Sequence, residues 1–276
     1  MTTTTYGEHP DVTFVFPLEH GAVVRAERLK LKQRSEVFRR MFSAEFLSNQ
    51  PIEITDISVD IFNDLMKYIF NEFILTVSVA NYREILYIAT KYMIAPLIQK
   101  VISVAVNLMT QWNLGEHFET FERYQIKKLD DKIQEVFEMD PLTVIHNLKN
   151  GSDSEMRLVK LILQSPVLKC SEYALCDAVT RFMERTVVLS EEKMDIGEEM
   201  RRKFGKMIYL IRFPVMSLKE LILCGKEPSL LPKDLFADLL LWVEAGEYSE
   251  SVQFFSTKKR IPPSSGNCAI CSKIIR

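Results

Sequence analysis

The sequence predicts a small α+β module followed by an all-helical one, and three observations carry that expectation. Apolar residues alternate at period two between Asp11 and Phe16 and again near Ala22–Ala26, with a Pro- and Gly-containing break between. From Ser35 onward the apolar spacing changes to 3.6 residues. Past Trp112 no convincing strand pattern remains, and amphipathic stripes follow one another to about Gly246.

Composition bounds the function classes. The chain has 276 residues, 47% of them hydrophobic, which suits one or two packed domains. Its formal charge of −2, from 35 basic and 37 acidic residues, gives no footprint for nucleic acid or an anionic membrane. The start, Met1-Thr-Thr-Thr-Thr5, has neither the basic nor the apolar region of a signal peptide. The richest apolar run, Ala95 to Leu108, is interrupted by Gln99, Lys100 and Asn107 and reads as a buried helix rather than a membrane span. The cysteines are Cys170, Cys176, Cys224, Cys268 and Cys271; an odd set without a secretory start points to reduced thiols, in the cytoplasm or alternatively the nucleus.

Taken in order, residues 1–10 read as a disordered lead-in. Asp11–Phe16 and Ala22–Ala26 read as a hairpin, with Val12, Phe14 and Phe16 on one face. The stretch Val24 to Phe42 then joins a strand to a helix capped by Ser35, whose hydroxyl can accept from a first-turn N–H. Glu36 complements that helix's positive end, and Val37, Phe38, Met41 and Phe42 share its inner face. Ile52–Ile54 reads as a third strand and Phe73–Val77 as an edge strand. Ser58 is the expected cap of a helix with Ile61, Phe62, Leu65, Met66 and Ile69 inward. Asn81 and Glu84 have capping-box spacing before the stripe Ile85, Ile88, Ala89, Tyr92. Pro96 suits the first turn of the next helix. In the second half, Ser154, Ser171 and Ser217 are expected caps, Ser190–Glu199 an expected loop, Pro232 the expected start of the last helix and Gly246 its end.

The order Arg34-Ser35-x-x-Phe38-x-x-Met41-Phe42 resembles the signature of the BTB (POZ) domain, a protein-interaction fold. Asp11-Val12, Ile54-x-Asp56, Phe62-x-x-Leu65-x-x-Tyr68-Ile69-Phe70 and Ala89-x-x-Tyr92 fall in the same register. The helical half resembles the BACK domain, through Ala174–Phe182 and Tyr209-Leu-Ile-Arg-Phe-Pro-Val-Met-Ser-Leu218. The latter is most like BTB–BACK proteins that carry a PHR β-sandwich. Ending at Arg276, the chain reads as a short relative, a truncated product or an isoform without it. The expected organisation is residues 1–10 disordered, 11–110 BTB, 111–248 BACK and 249–276 a flexible tail. The expected fold class is α+β, a small mixed sheet capped by helices, followed by an all-α domain.

Candidate chemistry is sparse. His9, His20, His117 and His146 show no metal-ligand spacing or nucleophile partner and read as surface or packing residues. A phosphate-cradling Gly-rich loop is missing, with nine glycines in all. Cys268-Ala-Ile-Cys271 is half of a zinc pattern and reads as a reduced tail, a zinc or redox role being the alternative. Lys258-Lys-Arg260 reads as a solvated charge run, with a nuclear-import patch as the alternative, and Arg201-Arg-Lys203 as the outer face of a helix.

The resemblance adds a partner. In BTB adaptors of cullin ubiquitin ligases, a hydrophobic–x–acid motif follows the signature helix, and the matching positions are Phe46-Leu47-Ser48. The apolar anchor is present and serine replaces the acid. Phe46 as a contact and Phe46 folded back on the core stand as two readings. Glu27 stands where the family usually has a structural histidine, implying local repacking. The resemblance implies a non-catalytic adaptor for cullin-3, dimerising through the surface around Val12, Phe14 and Phe16, as homodimer or heterodimer, with an unknown substrate protein. Charge, histidine and cysteine spacing and glycine content lead to the expectation of no cofactor, metal, nucleic acid or membrane. The alternative is an oligomerisation scaffold, or a mixed-dimer regulator, without cullin binding.

Overall fold

The computed structural model describes residues 2–43, 50–71, 76–78, 80–125, 127–187, 195–246 and 250–263. The chain divides into two compact units, Met1–Leu108 and Met109–Arg276.

The first unit is a four-stranded mixed sheet under helices. Its strands are β1 (Thr3–Tyr6), β2 (Val12–Phe16), β3 (Ala22–Ala26) and β4 (Ile52–Glu53), in the order β1-β3-β2-β4. β2 and β3 pair antiparallel, with Phe14 opposite Val24, as the hairpin pattern predicts. β1 and β4 add in parallel on the two sides. Alternation then sends Val12, Phe14, Phe16, Ala22, Val24 and Ala26 to one buried face.

Residues 3–6 correct the expectation of a disordered lead-in. The β-branched run Thr3-Thr4-Thr5 completes a ladder with Val23 to Arg25, and Tyr6 is buried, its hydroxyl donating to the Asn63 carboxamide oxygen at 3.1 Å. Low hydrophobicity hides such a strand in sequence, because its stabilisation comes from the backbone of β3. The turn after it needs Gly7 at φ +92°, where a Cβ would also lie 2.5 Å from the Glu27 side chain. Glu27 Oε1 in turn accepts from the His9 N–H at 2.6 Å.

The organising stretch holds two helices rather than one: α1 (Arg28–Arg34) and α2 (Glu36–Met41), with Ser35 extended between them. The Ser35 hydroxyl accepts from the Phe38 N–H at 3.1 Å and donates to the Tyr92 carbonyl at 2.6 Å. One buried side chain thus starts α2 and ties it to the end of α4 (Tyr82–Lys91). Phe38 is fully buried, stacked on Tyr92 at 4.4 Å and edge-on to Phe14 at 5.9 Å. Phe62 of α3 (Val59–Asn71) meets Phe14 at 4.9 Å and Phe16 at 5.3 Å. Burial of each such ring contributes about 1.5–3 kcal/mol, plus an aromatic-pair increment. α5 (Ala95–Leu108) closes the unit, burying Leu97, Val101, Ile102 and Ala105.

Ser58 caps α3 as expected, accepting from Ile61 N–H at 3.4 Å. Asn81 does not form the expected capping box. Its carboxamide oxygen accepts from the Ser78 N–H at 2.8 Å and its amide donates to the Thr76 carbonyl at 3.0 Å, so the side chain orders the preceding turn instead. The edge strand expected at Phe73–Val77 lies largely outside the described residues.

The second unit is helical: α6 (Leu114–Tyr124), α7 (Lys127–Met139), α8 (Pro141–His146), α9 (Asp153–Gln164), α10 (Glu172–Thr186), α11 (Ile196–Phe204), α12 (Leu218–Cys224) and α13 (Lys233–Ala245). α10 is its axis, burying Leu175, Cys176, Val179, Phe182 and Met183 against α8, α11 and α12. Ser171 and Ser217 cap as expected, the latter in a complete capping box with Glu220, and Gly246 ends α13 at φ +70°. The cap of α9 is Ser152 rather than Ser154, and helix replaces the expected loop from Ile196.

Residues 250–263 correct the expected flexible tail. A 3-10 turn at Val252–Phe254 leads to Phe255, whose ring lies 5.6 Å from Phe213 and 5.2 Å from Tyr209. Ile261 then bonds both ways across the 166–168 segment, its N–H to the Pro166 carbonyl at 2.9 Å and its carbonyl from Leu168 N–H at 3.1 Å.

Candidate interaction surfaces

The loop singled out for partner contact leaves α2 and returns at β4. Its first end is fixed: Phe42 is buried, stacked parallel on Phe38 at 5.8 Å, with the Arg28 guanidinium 5.6 Å over its ring. Its second end is fixed by Ile52, paired with Phe14, and by Ile54 N–H bonded to the Val15 carbonyl at 2.9 Å. Phe46, Leu47 and Ser48 themselves lie outside the described residues.

The side chains expected to form a dimer surface lie elsewhere than on the surface. Val12, Phe14 and Phe16 are 5%, 0% and 1% exposed and form the inner face of the unit's own sheet. Period two reveals that a strand has an apolar face but not whether the chain's own helices cover it. The exposed apolar side chains are others: Leu29 on α1, 68% exposed; Leu18 in the β2–β3 turn; and Met93 in the α4–α5 turn. Leu29 was missed because α1 was missed. Only Leu31 of that helix is buried, so it has no broad stripe to read.

Charge on this unit is local. Asp56 accepts from Lys91 Nζ at 2.8 Å and from the Tyr87 hydroxyl at 2.5 Å. The Lys91 ammonium first and the Tyr87 hydroxyl second hold its carboxyl below the usual carboxylate range. Burial pushes the Tyr92 phenol well above its ordinary range, so it stays neutral in the core.

In the helical unit the charge run Lys258-Lys-Arg260 is not uniformly solvated. Arg260 is 3% exposed; its Nε donates to Glu172 Oε1 at 2.6 Å, and its Nη atoms to the carbonyls of Leu163 at 2.8 Å, Leu210 at 3.1 Å and Ser165. Of Arg201-Arg-Lys203, Arg202 is on the outer face, while Arg201 donates to the Ser229 carbonyl at 2.9 Å and Lys203 to that of Thr186 at 3.3 Å. Two open cavities of about 590 and 600 Å³ flank α10. The second is lined by Trp112, Leu142, His146, Tyr173 and Ala178 among others, and Trp112 is 63% exposed.

The histidines are dispersed. His20 occupies the left-handed region in the β2–β3 turn, His117 is buried beside Phe121, and His146 ends α8. Among the described residues, no three His, Cys, Asp or Glu side chains come together as a metal site. Cys170, Cys176 and Cys224 are free thiols, and Cys268 and Cys271 lie outside the described residues. Also among the described residues, no helix is long and apolar enough to cross a membrane.

Comparison with known proteins gives a family model described as the BTB/POZ domain, matching residues 3–108, which is nearly the span of the first compact unit. The chain is similar to "BTB/POZ domain-containing protein 3" of Homo sapiens, 23% identical over 228 residues, covering 82% of this chain and 43% of the relative. The Mus musculus protein of the same name is 23% identical over 228 residues, covering 82% of this chain and 42% of the relative. "BTB/POZ domain-containing protein 6-B" of Danio rerio is 23% identical over 240 residues, covering 85% of this chain and 48% of the relative. The chain thus spans less than half the length of the curated relatives it matches. Both likenesses extend well past the first unit into the helical one.

Proposed function

With residues 3–108 a BTB/POZ domain, we propose that the chain is a non-catalytic adaptor that pairs with a second BTB domain and docks a cullin-3 scaffold through the loop carrying Phe46, Leu47 and Ser48. The helical unit is read as a BACK-type extension of that platform. The observation that supports this best is the family match over the first unit. Because Val12, Phe14 and Phe16 are committed to the core, self-association is assigned to α1, where Leu29 offers its side chain to solvent. Its driving force is apolar area removed from water, at about 25 cal/mol per Å².

A second reading, an oligomerisation scaffold without cullin binding, is favoured by one residue: Ser48 replaces the acid that the adaptor motif carries. Light scattering of the purified chain, alone and with a cullin-3 N-terminal fragment, separates the two. The adaptor reading expects a dimer that gains the fragment's mass at micromolar concentration and loses it in Phe46→Ala. A dimer that ignores the fragment favours the scaffold, and a strict monomer removes both.

A further inference from the structure

We infer that the open groove of about 600 Å³ beside α10 docks a linear acidic peptide of a partner protein, one that carries an apolar anchor at a fixed distance from its carboxylates. The inference deepens the adaptor reading and rests on it for the site's use: it names the class of protein such an adaptor recruits. The groove belongs wholly to the helical unit. Trp112, just before α6, and Leu142 of α8 line it together with a row on α10: Ala174, Ala178, Arg181 and Arg185. Successive members of that row are three or four residues apart, so they share one helical face.

The row is divided in character. Ala174 and Ala178 are small and half-buried, so α10 leaves room above them, and Trp112 and Leu142 supply apolar walls. Trp112 is 63% exposed, which leaves a large aromatic surface in water beside that room. Arg181 and Arg185 stand further along the helix. Against them the groove carries one carboxylate, Asp177, 3.0 Å from Arg181. Both side chains of that pair are exposed, so solvent screens it and an incoming carboxylate can share the guanidinium. Arg185 donates through Nη2 to the carbonyls of Ile145, His146 and Leu148 at 3.5, 3.1 and 3.5 Å. Those carbonyls orient the guanidinium, and among the described residues no carboxylate pairs with it. Two guanidinium groups against one carboxylate make this end of the groove positive, and the complementary charge is an acid.

Dimensions set the spacing of the ligand. At ~1.5 Å per residue, Ala174 and Arg185 lie about 16 Å apart along α10. An extended chain covers that length in about five residues. The segment that fits has phenylalanine or leucine at the Trp112 end and glutamate or aspartate about five residues away.

The test titrates synthetic peptides into the full chain, read by calorimetry and by tryptophan emission. Each peptide lacks tryptophan and carries one phenylalanine and two glutamates about five residues apart, in either order along the peptide. One control has lysines in place of the glutamates, and another has serine in place of the phenylalanine. One order of the glutamate peptide is expected to bind saturably, and both controls at least about tenfold more weakly. Emission is expected to shift to shorter wavelength on binding. The shift is lost in Trp112→Phe, which leaves only Trp242 to emit. Arg185→Gln should weaken binding about tenfold, and Arg202→Gln, on the outer face of α11, should leave it unchanged. If Arg185→Gln folds poorly, the exposed Arg181→Gln carries the same expectation. No binding by either order up to about 1 mM overturns the proposal. Equal binding of the lysine control, or a shift that survives Trp112→Phe, overturns it too. A light-scattering mass that falls in Trp112→Ala without any peptide gives the groove to a second copy and also overturns it. No cullin is present in these measurements, so failure here leaves cullin docking standing, and a chain that ignores cullin still shows whether this groove binds.

Discussion

Arg260 and Glu172, 88 residues apart, form a charge pair at 2.6 Å with side chains only 3% and 7% exposed. The guanidinium also holds the carbonyls of Leu163 near the end of α9 and of Leu210, the last residue of a 3-10 helix at Gly205–Leu210, while Glu172 Oε2 accepts from the Arg212 N–H at 3.2 Å. The pair closes the helical unit with a residue contributed from beyond its last helix. Removing one partner strands the other charge out of water. Arg260→Met is expected to destabilise this unit by about 3–5 kcal/mol in urea denaturation. The double variant with Glu172→Met should be less damaged than Arg260→Met alone, and equal losses would sink the coupling.

Ser35→Ala removes two bonds at once, the cap on Phe38 N–H and the link to the Tyr92 carbonyl. The expected loss is about 1–3 kcal/mol in the unfolding of the first unit. Ser35→Gly, which keeps a tolerable cap backbone but loses the link, should sit close to alanine. A serine variant series indistinguishable from wild type would refute the double role.

Phe38→Ala leaves a cavity beneath Phe14, Phe42 and Tyr92. A loss of about 3–5 kcal/mol is expected, measured by the denaturation midpoint. Leu29→Glu, on the exposed side of α1, should cost less than about 0.5 kcal/mol. It should nevertheless shift the chain toward monomer in light scattering. An unchanged dimer would place the self-association surface elsewhere.

The Asp56 carboxyl is held below its ordinary range by Lys91 and Tyr87. Folded Asp56 therefore binds its proton less readily than unfolded Asp56. Its stabilisation is present above the ordinary carboxylate value and is lost as pH falls through the lowered one. Wild type and Asp56→Asn should differ in thermal midpoint at neutral pH and converge in acid. A difference that persists unchanged into acid would remove the electrostatic account.

The parts of this protein that sequence made legible are those whose cause is local. Ser35, Ser58, Ser171 and Ser217 cap their helices because the hydroxyl and the amide it serves are three residues apart or fewer. The period-two run of β2 and the stripe of α10 are likewise local, as is the glycine that ends α13. The register of motifs from Asp11 to Tyr92 carried the resemblance to the BTB/POZ domain, whose family model matches residues 3–108. Asn81 shows the limit: capping-box spacing was present, but a nearby Ser78 competed for the same oxygen.

What sequence by itself determined, then, was a mixed sheet-and-helix unit followed by helices, the caps that bound them, and the resemblance of the first unit to the BTB/POZ domain, whose family model matches residues 3–108. Tertiary structure alone decided that Thr3–Tyr6 is a strand, that Val12, Phe14 and Phe16 face inward, and that Arg260 is buried. The physical reason is distance along the chain. Periodicity and capping depend on neighbours within a helical turn, whereas sheet pairing, burial and charge pairing depend on groups tens of residues away that only the packed chain brings together.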